Sequence, residues 1–349
     1  MKLRLLILAL GIVSFSVFGQ ADDFWTAFYN KDSTLIGYKD KNEKVKITPK
    51  FEPFIIANKF EHIIAAIEKT NDGWEYYYLT KDGKIVGRDS LYIFDNTPDC
   101  ENEGFIRFRD RQTDKAGMLD RNGNIAIPAI YDDLFNVRNG MVIVLKNSKK
   151  ELHGGHYFRT GGQTMLIDTL HNVLIEDFSL KNYATINLYA VEKTKTPHTD
   201  SIRQSFLAKD GSYYSFIDFE KEFHRWITNE LSSGLTQEQL YNMVADSVVW
   251  NENNWKKLSK ETLVKEKYKI INDRLSKILN SKTEYFISLG GLNAFIFEGE
   301  EYSSLFDNCR NPKYWQFPTV SIIINREKRQ EHYEFLRTDH GYKLIQVSK

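Results

Sequence analysis

Proton-transfer chemistry needs a carboxylate, an imidazole or a phenol held against a substrate. The last third of the chain offers Asp246, Asp307, His332 and Tyr333. If an enzyme is seated there, Asp307, His332 and Tyr333 are its acid–base candidates at a pocket mouth, and Asp246 can join them. Nothing in the spacing draws them together, and such residues are ordinarily surface or hydrogen-bonded structural groups. The chain contains no G-x-S-x-G, no H-E-x-x-H and no phosphate loop. No catalytic residue is assigned. Metal chemistry is as thin. His153 and His156 flank two glycines in NSKKELHGGHYFRTGG (147–162), but two histidines without a third ligand do not define a zinc site. The stretch reads as a mobile polar loop in which Lys149, Lys150 and Arg159 are a solvated face. No metal and no cofactor is assigned. Trp250, Trp255 and Trp315 read as core or interface anchors rather than cofactor stackers.

Cys100 and Cys309 are the two cysteines. They fall in stretches that read as different domains, so a bridge would clamp the two together. Two buried, unpaired thiols are the plainer expectation, because an isolated cysteine behaves as a small apolar residue.

The elements that must position these groups start with an address. Lys2 and Arg4 precede the apolar run LLILALGIVSFSVF, then Gly19, Gln20 and Ala21. A basic start, a short apolar middle and small residues predict a secretory signal peptide over 1–20. The run is too short for a comfortable membrane span, and with no cysteine after it there is no lipid-attachment site. The mature protein is expected to be soluble and secreted or periplasmic, without stable membrane insertion. The 349 residues suffice for two domains, and Lys plus Arg balances Asp plus Glu at 47 each. Zero net charge gives no general pull toward nucleic acid.

Residues 21–214 carry a repeat. IGYKDKNEKVKITPKFE (36–52) and AGMLDRNGNIAIPAIYD (116–132) align without a gap, and YLTKDGK (78–84), LIDTLHN (166–172) and FLAKDGS (206–212) continue the series. Asn42, Asp82, Asn122, Leu170 and Asp210 mark turns about 40, 40, 48 and 40 residues apart. In three copies Gly83, Gly123 and Gly211 follow an Asp or Asn, which predicts a tight two-residue hairpin. The return strand ends at Pro49 or Pro128, where a missing N–H should stop the pairing. An aromatic–acid pair follows, Phe51-Glu52 or Tyr131-Asp132. A third strand closes each unit: 62–69, 104–110, 140–147 and 185–193.

That pattern resembles the bacterial WG repeat. Gly37, Asp40 and Pro49 carry it in the first copy, and Gly117, Asp120, Gly123, Pro128, Tyr131 and Asp132 in the third. Gly83 and Gly211 keep only the turn. The Trp before the Gly is replaced by Ile36 and Ala116, and Gly73-Trp74 stands further upstream in the second copy. The resemblance covers roughly 23–215. It implies a β-repeat array used as a binding or scaffolding surface, with no shared catalytic residues. Units that cannot bury their own apolar faces must stack, and three strands per copy favour an open array over a closed propeller.

From 215 the texture changes. Phe216, Phe219, Phe223, Trp226, Ile227 and Leu231 share a helical stripe over 214–231, stopped by Ser232-Ser233-Gly234. Thr236 and Gln239 form a capping box for a second helix carrying Leu240, Met243, Val244 and Val248. A third helix is expected from about 253 to 281. Strands follow at 284–290, 293–299, 319–325, 331–338 and 341–349, as an antiparallel meander. Residues 300–318 form the long irregular link, the first choice for a functional loop. Helices followed by a meander make an α+β domain over 215–349, similar in order to the nuclear transport factor 2-like superfamily, which holds enzymes and non-catalytic ligand-binding domains alike.

The whole reads as multi-domain: an all-β repeat array of stacked hairpin units, then an α+β domain. The expected function is an exported, non-enzymatic binding or scaffold protein whose partner is a protein or a cell-envelope glycan. A hydrolase or isomerase in the C-terminal pocket is the alternative, and a structural envelope protein that self-associates through β edges is a third reading.

Overall fold

The computed structural model describes residues 23–53, 57–179, 183–231, 234–252, 254–278, 284–325 and 329–349. The expected signal peptide and the Ser232-Ser233 stop lie outside them. The protein is β-rich, with many antiparallel sheets. Residues 23–218 form sheets of seven, three, four and three strands, plus two isolated hairpins, Ile93–Phe94 with Thr97–Pro98 and Lys149–His153 with His156–Thr160.

One turn recurs at each expected position. Asp40, Thr80, Asp120, Asp168 and Ala208 each accept a backbone bond from the residue three on and donate one to the residue four on. The residue three on has positive φ each time: Glu43, Gly83, Gly123, His171 and Gly211. Asp40, Asp120 and Asp168 also cap their loops, accepting the amides two and four residues on through Oδ1. Because only one residue per loop is left-handed, this is a three-residue loop with a bulge, not the expected two-residue hairpin.

Pro49 and Pro128 do not end their strands. Val45–Phe51 and Ile125–Tyr131 run through them. Tyr38 pairs Ile47 and Ile36 pairs Phe51, so the proline side is two residues longer. Met118–Ile127 and Ala116–Tyr131 repeat this bulge. The missing N–H is absorbed where the ladder is already broken. Facing it are the glycines. A Cβ on Gly37 would lie 2.5 Å from the Ile47 carbonyl oxygen, and one on Gly117 would lie 2.6 Å from that of Ile127. Neighbouring turns stack: Lys84 Nζ donates to the Asn122 carbonyl at 3.1 Å, and the Lys209 amide to the Leu174 carbonyl. The 147–162 stretch is an ordered, exposed hairpin rather than a loop, growing from the Met141–Lys146 and Gln163–Asp168 pair.

Residues 214–218 belong to the strand Tyr213–Asp218, so helix α1 starts later than expected, at Phe219, and ends at Leu231. Thr236 makes the capping box of α2, Gln237–Met243. Val244 and Val248 then sit in the strand Val244–Asn251, and Trp255–Ser259 is also a strand, so α3 shrinks to Lys260–Leu275. The β-branched content of VADSVVW outweighs its helical spacing. These two strands extend the meander Tyr285–Gly290, Thr319–Asn325, Gln330–Thr338 and Gly341–Ser348 to a six-stranded sheet. Val244–Asn251 pairs in parallel with Gly341–Ser348, so the sheet is mixed. The expected strand at 293–299 is turns and coil. The helices cover one face through Phe223, Leu263 and Ile271, against Phe335 of the sheet. The 291–318 segment covers the other, against Val249, Leu336 and Ile345. Among the described residues no helix is long and apolar enough to cross a membrane.

Candidate ligand cleft

Cys100 and Cys309 are joined in a disulfide, with Cα atoms 6.2 Å apart. The expectation of two unpaired thiols is thus corrected. Both are buried within one apolar cluster that includes Ile63, Ile106 and Leu119. What brings them together is a turn. Asp307 Oδ1 accepts the amides of Cys309 and Asn311 at 2.8 and 2.9 Å. Its backbone pairs with Arg310 and Asn311 as in the five earlier turns, and Arg310 takes the positive φ. The C-terminal part therefore contributes a sixth turn of the same geometry. It docks through the Lys59 amide on the Asn308 carbonyl, and through Asn308 Nδ2 on Glu61.

Beside this junction lies an open cleft of about 450 Å³. One wall is Arg107, on the strand Phe105–Asp110. It bonds Asp99 through Nε at 3.0 Å and through its own amide at 2.8 Å, and its guanidinium lies 4.1 Å over Tyr92. Burial opposes its charge, but Asp99 overrides that and holds Arg107 above its ordinary value. Burial pushes the Tyr92 phenol up to about 12. The second wall is Arg138, 2 % exposed. Its guanidinium sits 4.1 Å from the Tyr183 ring, 4.6 Å from Trp315 and 5.4 Å from Tyr314. It donates to the Tyr183 carbonyl and to the Tyr183 and Tyr314 hydroxyls. Its Nε has no partner, and it forms no ion pair among the described residues. Asn136 bridges Asp99 and the Cys100 carbonyl, both at 3.4 Å. Phe94, 73 % exposed, stands on the small hairpin at the rim. Burial raises the Asp307 carboxyl above its ordinary range, against the Asn311 and Cys309 donors.

The acid–base candidates do not converge. Asp307 caps the docking turn. Tyr333 is buried in the core under the helices, and His332, its neighbour on the strand, points to the opposite face. Asp246 lines a different cavity, about 710 Å³, with Lys260, Glu301, Arg337 and Lys343. His153 and His156 face each other across the exposed hairpin turn. Trp250 and Trp315 are buried, whereas Trp255 is 56 % exposed. Asp307, Asn311, Pro312, Tyr314 and Trp315 of the long link line the cleft. Arg107, Arg138, Tyr92 and Tyr183 escaped the sequence reading. The one available signal was an arginine within an otherwise apolar approach to a buried strand, VRNGMVIV.

Among the described residues, two clusters have the donor types of a metal site. In Cys100, Asp307 and Cys309 the sulfurs are already bonded to each other. In Glu61, His62 and Glu101, the buried Glu101 takes His62 Nδ1 at 2.6 Å and the amides of His62 and Ile63 at 3.0 and 3.1 Å. That is an internal cap of a strand start.

Residues 117–149 match the family described as WG containing repeat. This stretch holds the Asp120 turn, the Pro128 bulge, Tyr131 against His171 at 2.7 Å, and Asp132, which takes the Ser148 amide at 2.6 Å and Lys115 Nζ. No curated protein and no solved structure matches the chain.

Proposed function

We propose that the protein is an exported binding protein. In this reading residues 23–218 are a WG-like repeat array, extending the matched unit over all five turns, and residues 219–349 are a ligand-binding module locked onto it. The fold of that module as nuclear transport factor 2-like, and the secretory address, belong to the same proposal. The carrying observation is the cleft at the junction, walled by arginines, aromatic rings and amides and framed by the disulfide. Pockets of that size and mixed lining hold small ligands. Dispersal of Asp246, Asp307, His332 and Tyr333 favours binding over an acid–base enzyme. The disulfide fits an oxidising compartment outside the cytoplasm.

The test is capture from an envelope extract by the mature chain, beside a Phe94→Ser/Tyr314→Ala double variant with its disulfide intact. A glycan or protein held by the parent and released by the variant supports the reading. Retention indifferent to the cleft, or chemical turnover of what is held, overturns it.

A further inference from the structure

We infer that the cleft takes a carboxylate-bearing sugar, with Arg138 as the group that recognises its charge. This rests on the cleft being a binding site, and adds the class of ligand. Arg138 and Arg107 are two cations on one cavity, but they are unequally provided for. Arg107 is neutralised by Asp99. Arg138 is buried and, among the described residues, lacks both an anionic partner and a partner for its Nε. A buried charge without a counter-ion is costly, and three aromatic faces offset only part of that cost. A planar guanidinium matches the oxygen pair of a carboxylate, as it does that of a phosphate, and the single charge of a carboxylate balances the one cation of the pair that Asp99 does not neutralise.

The rest of the lining selects a sugar. Asn102, Asn136 and Asn311 line the cleft: Asn136 gives its amide hydrogens to Asp99 and the Cys100 carbonyl and leaves its oxygen as an acceptor, while Asn311 gives one to Asp307 and keeps a second donor beside its oxygen, the mixture that hydroxyl groups need. Tyr314 and the exposed Phe94 offer apolar faces for ring C–H groups. Pro98 and Pro312 stand on the two sides of the cleft. They lack amide hydrogens, so an extended peptide finds little main-chain ladder to pair with.

The experiment titrates the mature, disulfide-bonded chain with tri-galacturonate and with its neutral galactose counterpart, by calorimetry. The acidic trimer should bind at least about tenfold tighter. Arg138→Met keeps a long apolar side chain among the rings. It should abolish that tenfold preference while leaving weak neutral-sugar binding in place. Asn311→Ala, at the rim, should weaken both sugars alike. Equal affinity for the two trimers, or an undiminished preference in Arg138→Met, overturns the inference. So does displacement of the acidic trimer by a peptide carboxylate at lower concentration. If neither trimer binds while envelope capture still depends on the cleft, the acidic-sugar assignment falls and the binding-protein reading survives. If Arg138→Met does not fold, the paired comparison of the two trimers on the parent chain and on Asn311→Ala still decides the matter.

Discussion

At the scale of single residues, the repeat motif becomes a set of steric and hydrogen-bonding requirements. Gly117 is small because the bulged strand leaves no room for a Cβ 2.6 Å from the Ile127 carbonyl oxygen. Gly117→Ala should cost about 1–3 kcal/mol, the usual penalty of overpacking. Gly123 is needed for another reason, its φ of 73°. Gly123→Ala should cost about 1–2 kcal/mol. Glu43 holds the same left-handed position at φ 63° in the first turn. Glu43→Gly should therefore stabilise by a few tenths to about 1 kcal/mol, the gain partly offset by glycine's extra entropy loss. Urea titration of the three variants checks the order, and a destabilised Glu43→Gly would show that the turn geometry does not govern. Asp307 gives a pH prediction. Burial raises its folded value above the unfolded one, so the folded chain holds that proton more tightly. Its contribution is fully present below the ordinary carboxyl value of about 3.9 and lost as pH rises through the raised folded value. Asp307→Asn has no proton to lose and keeps an acceptor for the two amides. Its stability relative to the parent should rise as pH rises above about 4, the ordinary carboxyl value; a flat difference would mean that Asp307 is not buried on docking.

At the scale of elements, legibility followed the period of the apolar pattern. The five turns and the strands at 62–69, 104–110, 140–147 and 185–193 were readable because Asp, Asn and Gly recur in phase with apolar alternation, but the last three do not close their own units: Phe105–Asp110 pairs with Lys115–Asp120, Met141–Lys146 with Gln163–Asp168 and Ile186–Thr194 with Tyr213–Asp218, each in the next sheet. The bulge was not, since a proline says that an N–H is missing and not how the chain will absorb the loss. Between 244 and 259 helical spacing misled, because Val244 and Val248 also suit a strand that is covered on both faces. The cleft was half visible: the long link could be singled out by length, but Arg138 sits in a turn bridged to Met141, and the rings that surround it, Tyr183, Tyr314 and Trp315, lie far off in sequence. The hairpin over 149–160 shows what an insertion costs. Its strands pair mainly with each other, and its ties to the body include Lys150 and Arg159 on Asp114, at 2.8 and 3.2 Å. Joining Ser148 to Gly161 without it should leave the fold intact and remove about 1–2 kcal/mol, the sum expected of part-exposed ion pairs. Circular dichroism with urea unfolding checks this, and loss of a cooperative transition would make the hairpin part of the core.

At the scale of the whole molecule, the covalent bond between residues 209 apart in sequence sets how the two parts behave as one. Three contacts of different kinds meet at this joint: the disulfide, the Asn308 docking bonds, and the Arg138 guanidinium among Tyr183, Tyr314 and Trp315. α1 adds a fourth, where Arg225 pairs with Asp200 across the boundary. That pair depresses the Asp200 carboxyl to about 2 through the Arg225 hydrogen bond, so its help is present above the ordinary carboxyl range and fades as pH falls through about 2. At neutral pH all four contacts hold, and only in strong acid does the joint lose this pair and rest on the others. Closing so long a loop removes much unfolded-chain entropy, with a ceiling of about 5 kcal/mol in the chain-entropy view. Cys100→Ser/Cys309→Ser should therefore melt at lower temperature. It should also split the single transition in two, because the six-stranded sheet with its helices has a core separate from that of the sheets before it. Calorimetry of parent and double variant reads both effects. A single, equally cooperative transition in the variant would show that the non-covalent contacts alone weld the parts, and the cleft between them would then persist in a reducing environment.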